Sequence, residues 1–122
     1  MEFLHKFDKK LADEQLKESG KLRNRYPDRI PVLVDRARRT DPLLDKNKFL
    51  VPSDLTVGQL VYTVRKRLTK DLKPADALFF FIDNTLVPTS ALVSQIYCEH
   101  AQNGFLRIVY STENTFGAGS HL

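Results

Sequence analysis

Lys48-Phe-Leu-Val-Pro-Ser-Asp-Leu-Thr-Val-Gly-Gln-Leu-Val-Tyr-Thr-Val-Arg-Lys-Arg-Leu-Thr69 holds both of the structural periods that decide the fold. Its first five residues read as a short strand closed by a proline. Ser53, Asp54 and Thr56 are candidate helix caps. From Val57 the spacing changes. Val57, Leu60, Val61, Val64 and Leu68 recur at helical intervals and predict a helix over 57–69 with that face toward a core. Arg65, Lys66 and Arg67 near its end complement the helix dipole.

Downstream, Ala77-Leu-Phe-Phe-Phe-Ile82 is a continuous apolar run, which suits a central strand buried on both faces. Asp83-Asn84 reads as a turn. A short helix follows from Ala91 to about Glu99, with Thr89 or Ser90 as its cap. Asn103-Gly104 is a second turn, and Phe105 to Tyr110 forms the last strand. Upstream, Ile30 to Asp35 reads as a strand, with Pro31 pointing to an edge or a solvent side. Arg36 to Asn47, with Asp41 and Pro42, is a turn-rich loop. Residues 3–10 and 11–25 read as two short helices with a loose stripe of Leu11, Ala12, Leu16 and Leu22. Pro27 stops the second one. Helix, helix, strand, strand, helix, strand, helix, strand is the order of the α+β ubiquitin-like β-grasp. The expected sheet is mixed and four-stranded, with two additional N-terminal helices.

A chain of 122 residues is enough for one domain with one core. No apolar run approaches the ~20 residues needed to cross a bilayer, and the charged start lacks the apolar centre of a signal peptide. A single cysteine, Cys98, rules out an internal disulfide and fits a reducing, cytoplasmic compartment. The net charge of +4 is uneven. Residues 1–40 hold eleven Lys or Arg against seven Asp or Glu, and the remainder holds eight of each. The basic first third favours acidic partners, such as acidic peptides, anionic lipid headgroups, tubulin tails or RNA.

After the last strand comes a polar stretch, Ser111-Thr-Glu-Asn-Thr, then Phe116-Gly117 and Ala118-Gly-Ser-His-Leu122. A core gains nothing from such a tail. A glycine carboxylate exposed by cleavage is different, because glycine has no Cβ and threads a narrow enzyme channel. This composition suits a protein trimmed and then joined to something else through its own C-terminus. Gly119 is the rival position for the new end.

Several blocks in this order resemble the autophagy-related ubiquitin-like modifiers, the group that includes the GABA-receptor-associated protein and microtubule-associated light chain three. The matching stretches are Lys21 to Val34, Asp45 to Gln59, Val64 to Arg67, Ala77 to Phe81, Pro88 to Ser90, and Tyr110 to Gly117. They span nearly the whole chain. The resemblance implies residues 1–25 as a helical extension packed on the core, 26–117 as the ubiquitin-like domain and 118–122 as a cleavable tail. It implies that a cysteine protease cuts after Gly117, with Phe116 as the neighbour that is read. Ubiquitin-type activating and conjugating enzymes then carry the glycine carboxylate to phosphatidylethanolamine. No other cofactor and no metal is implied. Location is cytoplasmic, moving to autophagosomal and related membranes after lipidation.

The resemblance also implies a docking site for aromatic-x-x-aliphatic motifs of cargo receptors and adaptors, added as a strand along Lys48 to Pro52. By matching positions, the aromatic pocket takes Glu18, Leu22, Pro31, Leu33, Lys48, Leu50 and Phe105. The aliphatic pocket takes Phe49, Val51, Pro52, Leu55, Leu60 and Val64. Arg29, Lys46, Lys48 and Arg67 form a basic rim for acidic flanks. Phe49, Val51 and Leu55 read equally as pocket or core; Leu33, Val61 and Phe80 read as core. Leu60 and Thr63 depart from the larger residues common in relatives, and the turn from Thr69 to Asp76 is slightly longer than in animal members.

Three other readings compete. Catalysis by Cys98 and His100 is disfavoured, since residues two apart on a helix face different ways; the chain reads as a non-enzyme. Nucleic-acid binding is disfavoured because basic and aromatic residues are not interleaved, although microtubules remain a partner class for the basic third. A non-conjugated adaptor would keep the pockets and dispense with Gly117.

Overall fold

The computed structural model describes residues 2–68 and 72–113, with the backbone alone for residues 2–8. In chain order its elements are α1 (Glu2–Arg25), β1 (Arg29–Arg36), β2 (Lys48–Pro52), α2 (Val57–Arg67), β3 (Phe79–Ile82), β4 (Thr85–Leu86), α3 (Val93–His100) and β5 (Leu106–Ser111). The strands form one sheet in the order β2-β1-β5-β3-β4. β1 is antiparallel to β2 and parallel to β5, while β3 is antiparallel to β5 and β4. A parallel inner pair flanked by antiparallel strands, with a helix crossing between them, is the expected α+β ubiquitin-like β-grasp.

Strand alternation sorts the side chains into two layers. Ile30, Val32 and Val34 of β1, Phe80 and Ile82 of β3, and Leu106, Ile108 and Tyr110 of β5 point to one side. There they form the core with Val57, Leu60, Val64 and Leu68 from the α2 segment and Val93 and Ile96 from α3. Each such side chain contributes about 1.5–3 kcal/mol by leaving water. α2 starts where the sequence places it. Thr56 caps Gln59 N, and the Gln59 side chain accepts from Thr56 N at 2.9 Å, closing a capping box.

α1 covers the reverse face, against β1. Leu33 and Phe105 are buried beneath it and outside the main core. Its attachment is partly polar. Ser19 Oγ donates to Asn103 O at 2.9 Å, Asn103 Nδ2 donates to Gln15 Oε1 at 3.1 Å, and Arg23 Nη1 donates to Arg29 O at 2.6 Å. The Arg23 guanidinium also lies over the Tyr97 ring, 5.4 Å from its centre.

Several expectations are corrected. The N-terminal segment is one helix of 24 residues rather than two; Lys9, Lys10, Leu11 and Ala12 are all good helix formers and no breaker separates them. The sheet has five strands rather than four. Asp83 and Asn84 both have positive φ, 51° and 64°, the requirement for a two-residue hairpin turn, and the turn folds β4 back on β3 with Ile82 opposite Thr85. The central strand is β5 rather than the apolar run at 77–82. β1 is interior despite Pro31: it lies between β2 and β5, and its ladder to β5 begins only at Val32. α3 has Leu92 at its cap position without a side-chain bond, so neither Thr89 nor Ser90 caps it.

Gly104 has φ +81°, and a Cβ there would sit 1.9 Å from Ser19 Oγ and 2.5 Å from Ser19 Cβ. Gly104→Ala therefore strains the turn and pushes α1 off its seat. The expected loss is about 1–3 kcal/mol, read as a lower urea midpoint. An unchanged midpoint contradicts this account of α1 docking.

Candidate functional site

Backbone arithmetic along β2 defines the site. In an antiparallel pair, residues alternate between exchanging hydrogen bonds with the partner and pointing their N–H and C=O away from it. Val34 N donates to Asn47 O at 2.8 Å, and Ser53 N donates to Asp28 O at 3.1 Å. The register runs Val32 opposite Phe49 and Ile30 opposite Val51. Phe49 and Val51 therefore face β1, and Lys48 and Leu50 turn their backbone groups outward. β2 ends the strand order, so among the described residues no strand occupies that outer edge. Pro31 stands opposite Leu50, a position that sends no N–H toward β2, so the proline costs this hairpin no bond.

The same alternation divides the side chains. Lys48 and Leu50 share a face with their partners Leu33 and Pro31, on the α1 side. Phe49 and Val51 point to the α2 side. Four of the seven expected aromatic-pocket residues line one groove, and Leu22, Pro31 and Leu50 are not among its lining residues. Glu18, Leu33, Lys48 and Phe105 line an open groove of about 380 Å³ together with Leu11, Gln15 and Arg107. Pro31 is buried, and Leu22 and Leu50 are half-buried. Lys48 Nζ donates to both carboxylate oxygens of Glu18, at 2.9 and 3.0 Å. The pair thus bridges α1 to the edge strand. Both partners are substantially exposed, so it is worth at most about 1 kcal/mol and yields readily to a competing carboxylate.

The α2 side differs from expectation. Leu60 and Val64 are fully buried, and Val51 is 6% exposed. These three are core rather than pocket lining, because the apolar face of α2 packs directly on the sheet. Pro52 falls on the α1 side by alternation and is exposed. Phe49 and Leu55 remain half-buried at the surface. The Phe49 ring lies beneath two cations, with Lys46 Nζ 5.4 Å and Arg67 Cζ 5.8 Å from its centre. Arg67 Nε is also 3.2 Å from Asp45 Oδ1. Three of the four rim cations (Lys46, Lys48 and Arg67) therefore border β2 itself. Arg29 is exposed at the far end of the ladder, opposite Pro52.

Phe116, Gly117 and the residues after them lie outside the described residues. The segment leading to them is described through Glu113, and it rests on a residue that sequence reading treated only as part of a turn. Asp41, with a fully buried side chain, accepts from Arg38 N, Nε and Nη2 at 2.9, 3.3 and 2.8 Å. It also accepts from Ser111 Oγ, Thr112 N and Thr112 Oγ1, each at 3.2 Å. Tyr110 adds a hydrogen bond from its hydroxyl to Pro42 O. Asp41-Pro42 between two strands signals a turn; nothing in the sequence signals its partners seventy residues away.

Burial alone pushes the Asp41 carboxyl up. The Arg38 guanidinium, with the Thr112 and Arg38 amides, outweighs that and holds it at about 2, against 3.8 for a free carboxyl. Cys98 is exposed. His100 Nδ1 lies 3.2 Å from Asp83 Oδ2, in a surface pair. Among the described residues no group of His, Cys, Asp and Glu could hold a metal ion, and no helix is long and apolar enough to cross a membrane.

A β-grasp body with an open edge strand and a C-terminal segment leaving the central strand defines a ubiquitin-like protein. Residues 14–117 match the family described as "Autophagy protein Atg8 ubiquitin like". Autophagy-related protein 8 of Mycosarcoma maydis is 53% identical over 115 residues, covering 93% of this chain and 92% of that protein. Autophagy-related protein 8c of Arabidopsis thaliana is 57% identical over 102 residues, covering 82% and 84%. Among solved structures, Trypanosoma brucei ATG8 superposes with a TM-score of 0.76 at 39% identity, covering 82% of this chain and 86% of that one. Plasmodium falciparum Atg8 in complex with a Plasmodium falciparum Atg3 peptide gives 0.74 at 29%, covering 84% and 90%. The chain belongs to the Atg8 family of autophagy ubiquitin-like proteins, and so is a ubiquitin-like modifier, not an enzyme.

The depressed Asp41 carboxyl has a signed consequence. Its folded-state value lies below the unfolded one, so its stabilisation is complete above pH ~4 and is lost as pH falls toward 2. The loss is on the order of 2 kcal/mol. Urea titrations between pH 5 and 2 should show wild type losing that much more than Asp41→Asn. Parallel acid limbs for the two proteins would contradict it.

Proposed function

We propose that this chain is processed and lipidated in autophagy and docks short linear motifs along β2. A cysteine protease hydrolyses the Gly117–Ala118 bond, reading Phe116, and releases Ala118–Leu122. Ubiquitin-type activating and conjugating enzymes carry the Gly117 carboxylate as a thioester, and the amine of phosphatidylethanolamine takes it as an amide. Two acyl chains on one lipid give stable anchoring where a single chain is marginal. The protein thereby moves from cytoplasm to autophagosomal membranes.

The observation that carries the docking half is the outer edge of β2. Lys48 and Leu50 present backbone groups to it, with the α1-side groove, an apolar floor of Leu33 and Phe105 rimmed by charged and polar residues, on one side and the Phe49–Leu55 surface on the other. A peptide strand adds there by main-chain hydrogen bonds, and its side chains alternate between the two sides. Lys46, Lys48 and Arg67 meet acidic flanks and speed encounter. The aromatic residue belongs on the α1 side, over Leu33, Leu50 and Phe105. The aliphatic residue belongs beside Phe49 and Leu55. With Leu60 and Val64 sealed in the core, that second site is shallow and its preferences are set by Phe49, Leu55 and the two cations above the ring. Plasmodium falciparum Atg8 has been solved in complex with an Atg3 peptide, which supports peptide binding by this chain.

Intact-mass analysis of the protein recovered from cells tests the modification half. Wild type should lose Ala118–Leu122 and gain a phospholipid mass in the membrane fraction. Gly117→Ala should stay full length and soluble. An unprocessed C-terminus in the wild type would instead support a non-conjugated adaptor.

A further inference from the structure

Three donors reach Asp41 from the last residue of β5, Ser111, and from the residue after it, Thr112. β5 ends at Ser111. Its ladder to β1 reaches only Tyr110, opposite Arg36, with Ala37 N donating to Tyr110 O at 2.8 Å. Beyond that point the sheet offers Thr112 nothing on the β1 side. The Asp41 carboxylate takes over: its Oδ1 accepts from the Ser111 hydroxyl, the Thr112 amide and the Thr112 hydroxyl. Ser111 Oγ in turn accepts from Glu113 N at 3.1 Å. Arg38 holds Asp41 from the other side through three bonds, and its Nη1 lies 3.7 Å from Glu113 Oε1. Half of the bonds to a buried carboxylate thus go to the loop and half to the departing chain.

A carboxylate needed only to shape the loop is satisfied by Arg38. The second set fixes Thr112 and Glu113 past the last ladder pair. Four residues, Glu113 to Phe116, then separate Thr112 from Gly117, and the five Cα steps reach at most about 17 Å. We propose that Asp41, held by Arg38, is a positioning residue for C-terminal processing: through Ser111 and Thr112 it fixes the point and direction from which the scissile glycine is offered to the processing enzyme. This rests on the proposed modification of Gly117 and deepens it. With the anchor in place, the enzyme orders fewer residues on binding, so the anchor acts on recognition rather than on bond cleavage.

The test follows release of the Ala118–Leu122 peptide from the full chain by the family's processing cysteine protease, at varied substrate concentration. Ser111→Ala combined with Thr112→Val removes both hydroxyls and leaves the Arg38–Asp41 pair intact. The expected result is a KM raised about tenfold with kcat within about twofold of wild type. Thr112→Ser, which keeps a hydroxyl, should return KM close to wild type. Titration of an aromatic-x-x-aliphatic peptide should be unchanged in each variant, reporting an intact body. Should the double variant lose that docking, Thr112→Val alone decides by the same KM reading. A wild-type KM, or a loss confined to kcat, overturns the inference while normal release from wild type leaves the proposed function standing. Failure of wild type itself to release the peptide overturns both.

Discussion

The β1–β2 ladder is the constraint on which the proposed docking depends. A five-residue strand has few backbone groups to spend, and the register decides where they go. With Val32 opposite Phe49 and Ile30 opposite Val51, alternate residues bond inward and Lys48 and Leu50 are left facing out. A slip of one residue would reverse both consequences. It would turn Lys48 into the ladder and put Phe49 and Val51 on the wrong side of the sheet. The core prevents this slip, because Val51 packs with Ile30, Val34 and Leu60 inside it. Edge strands are ordinarily a liability that proteins blunt. Here three cations, Lys46, Lys48 and Arg67, discourage self-pairing and at the same time favour an acidic visitor.

The two ends of the sheet carry separate tasks. One edge, β2, has no strand beyond it among the described residues and is where we propose a peptide adds, while the central strand β5 runs out toward the C-terminal segment. Their independence follows from the layers. α1 braces the docking side through Ser19, Gln15, Arg23 and the Glu18–Lys48 pair. Asp41 and Arg38 brace the exit through contacts that involve neither α1 nor β2. The two sites share only the inner strands β1 and β5, which pair with each other between them.

Much of this was legible in the sequence. The helical spacing of Val57, Leu60, Val64 and Leu68 and the apolar run at 77–82 decided the class of fold, since local periodicity states them outright; Thr56 was one of three candidate caps, and its partner Gln59 emerged only in the structure. Pairing order was harder. Phe79–Ile82 looks central because it is uniformly apolar, yet β5 holds the centre, and only the parallel β1–β5 contact decides that. β4 escaped notice because two residues carry no period; the signal was the Asp83-Asn84 turn. α1 was divided in two because its apolar stripe is loose, although no residue in it breaks a helix. In the site, position along β2 was readable, but depth was not. Whether Leu60 and Val64 line a pocket or a core depends on how closely α2 approaches the sheet. Asp41 was invisible for a related reason: its meaning comes from Ser111 and Thr112, which are remote in the chain.

Amide hydrogen exchange along β2, read residue by residue with and without an aromatic-x-x-aliphatic peptide, tests the central claim most directly. In the free protein the Phe49 and Val51 amides should be protected by β1, and those of Lys48 and Leu50 should exchange freely; the peptide should slow Lys48 and Leu50 selectively. Protection of Lys48 and Leu50 before any peptide is added, or no change at these two amides when it binds, would contradict the account.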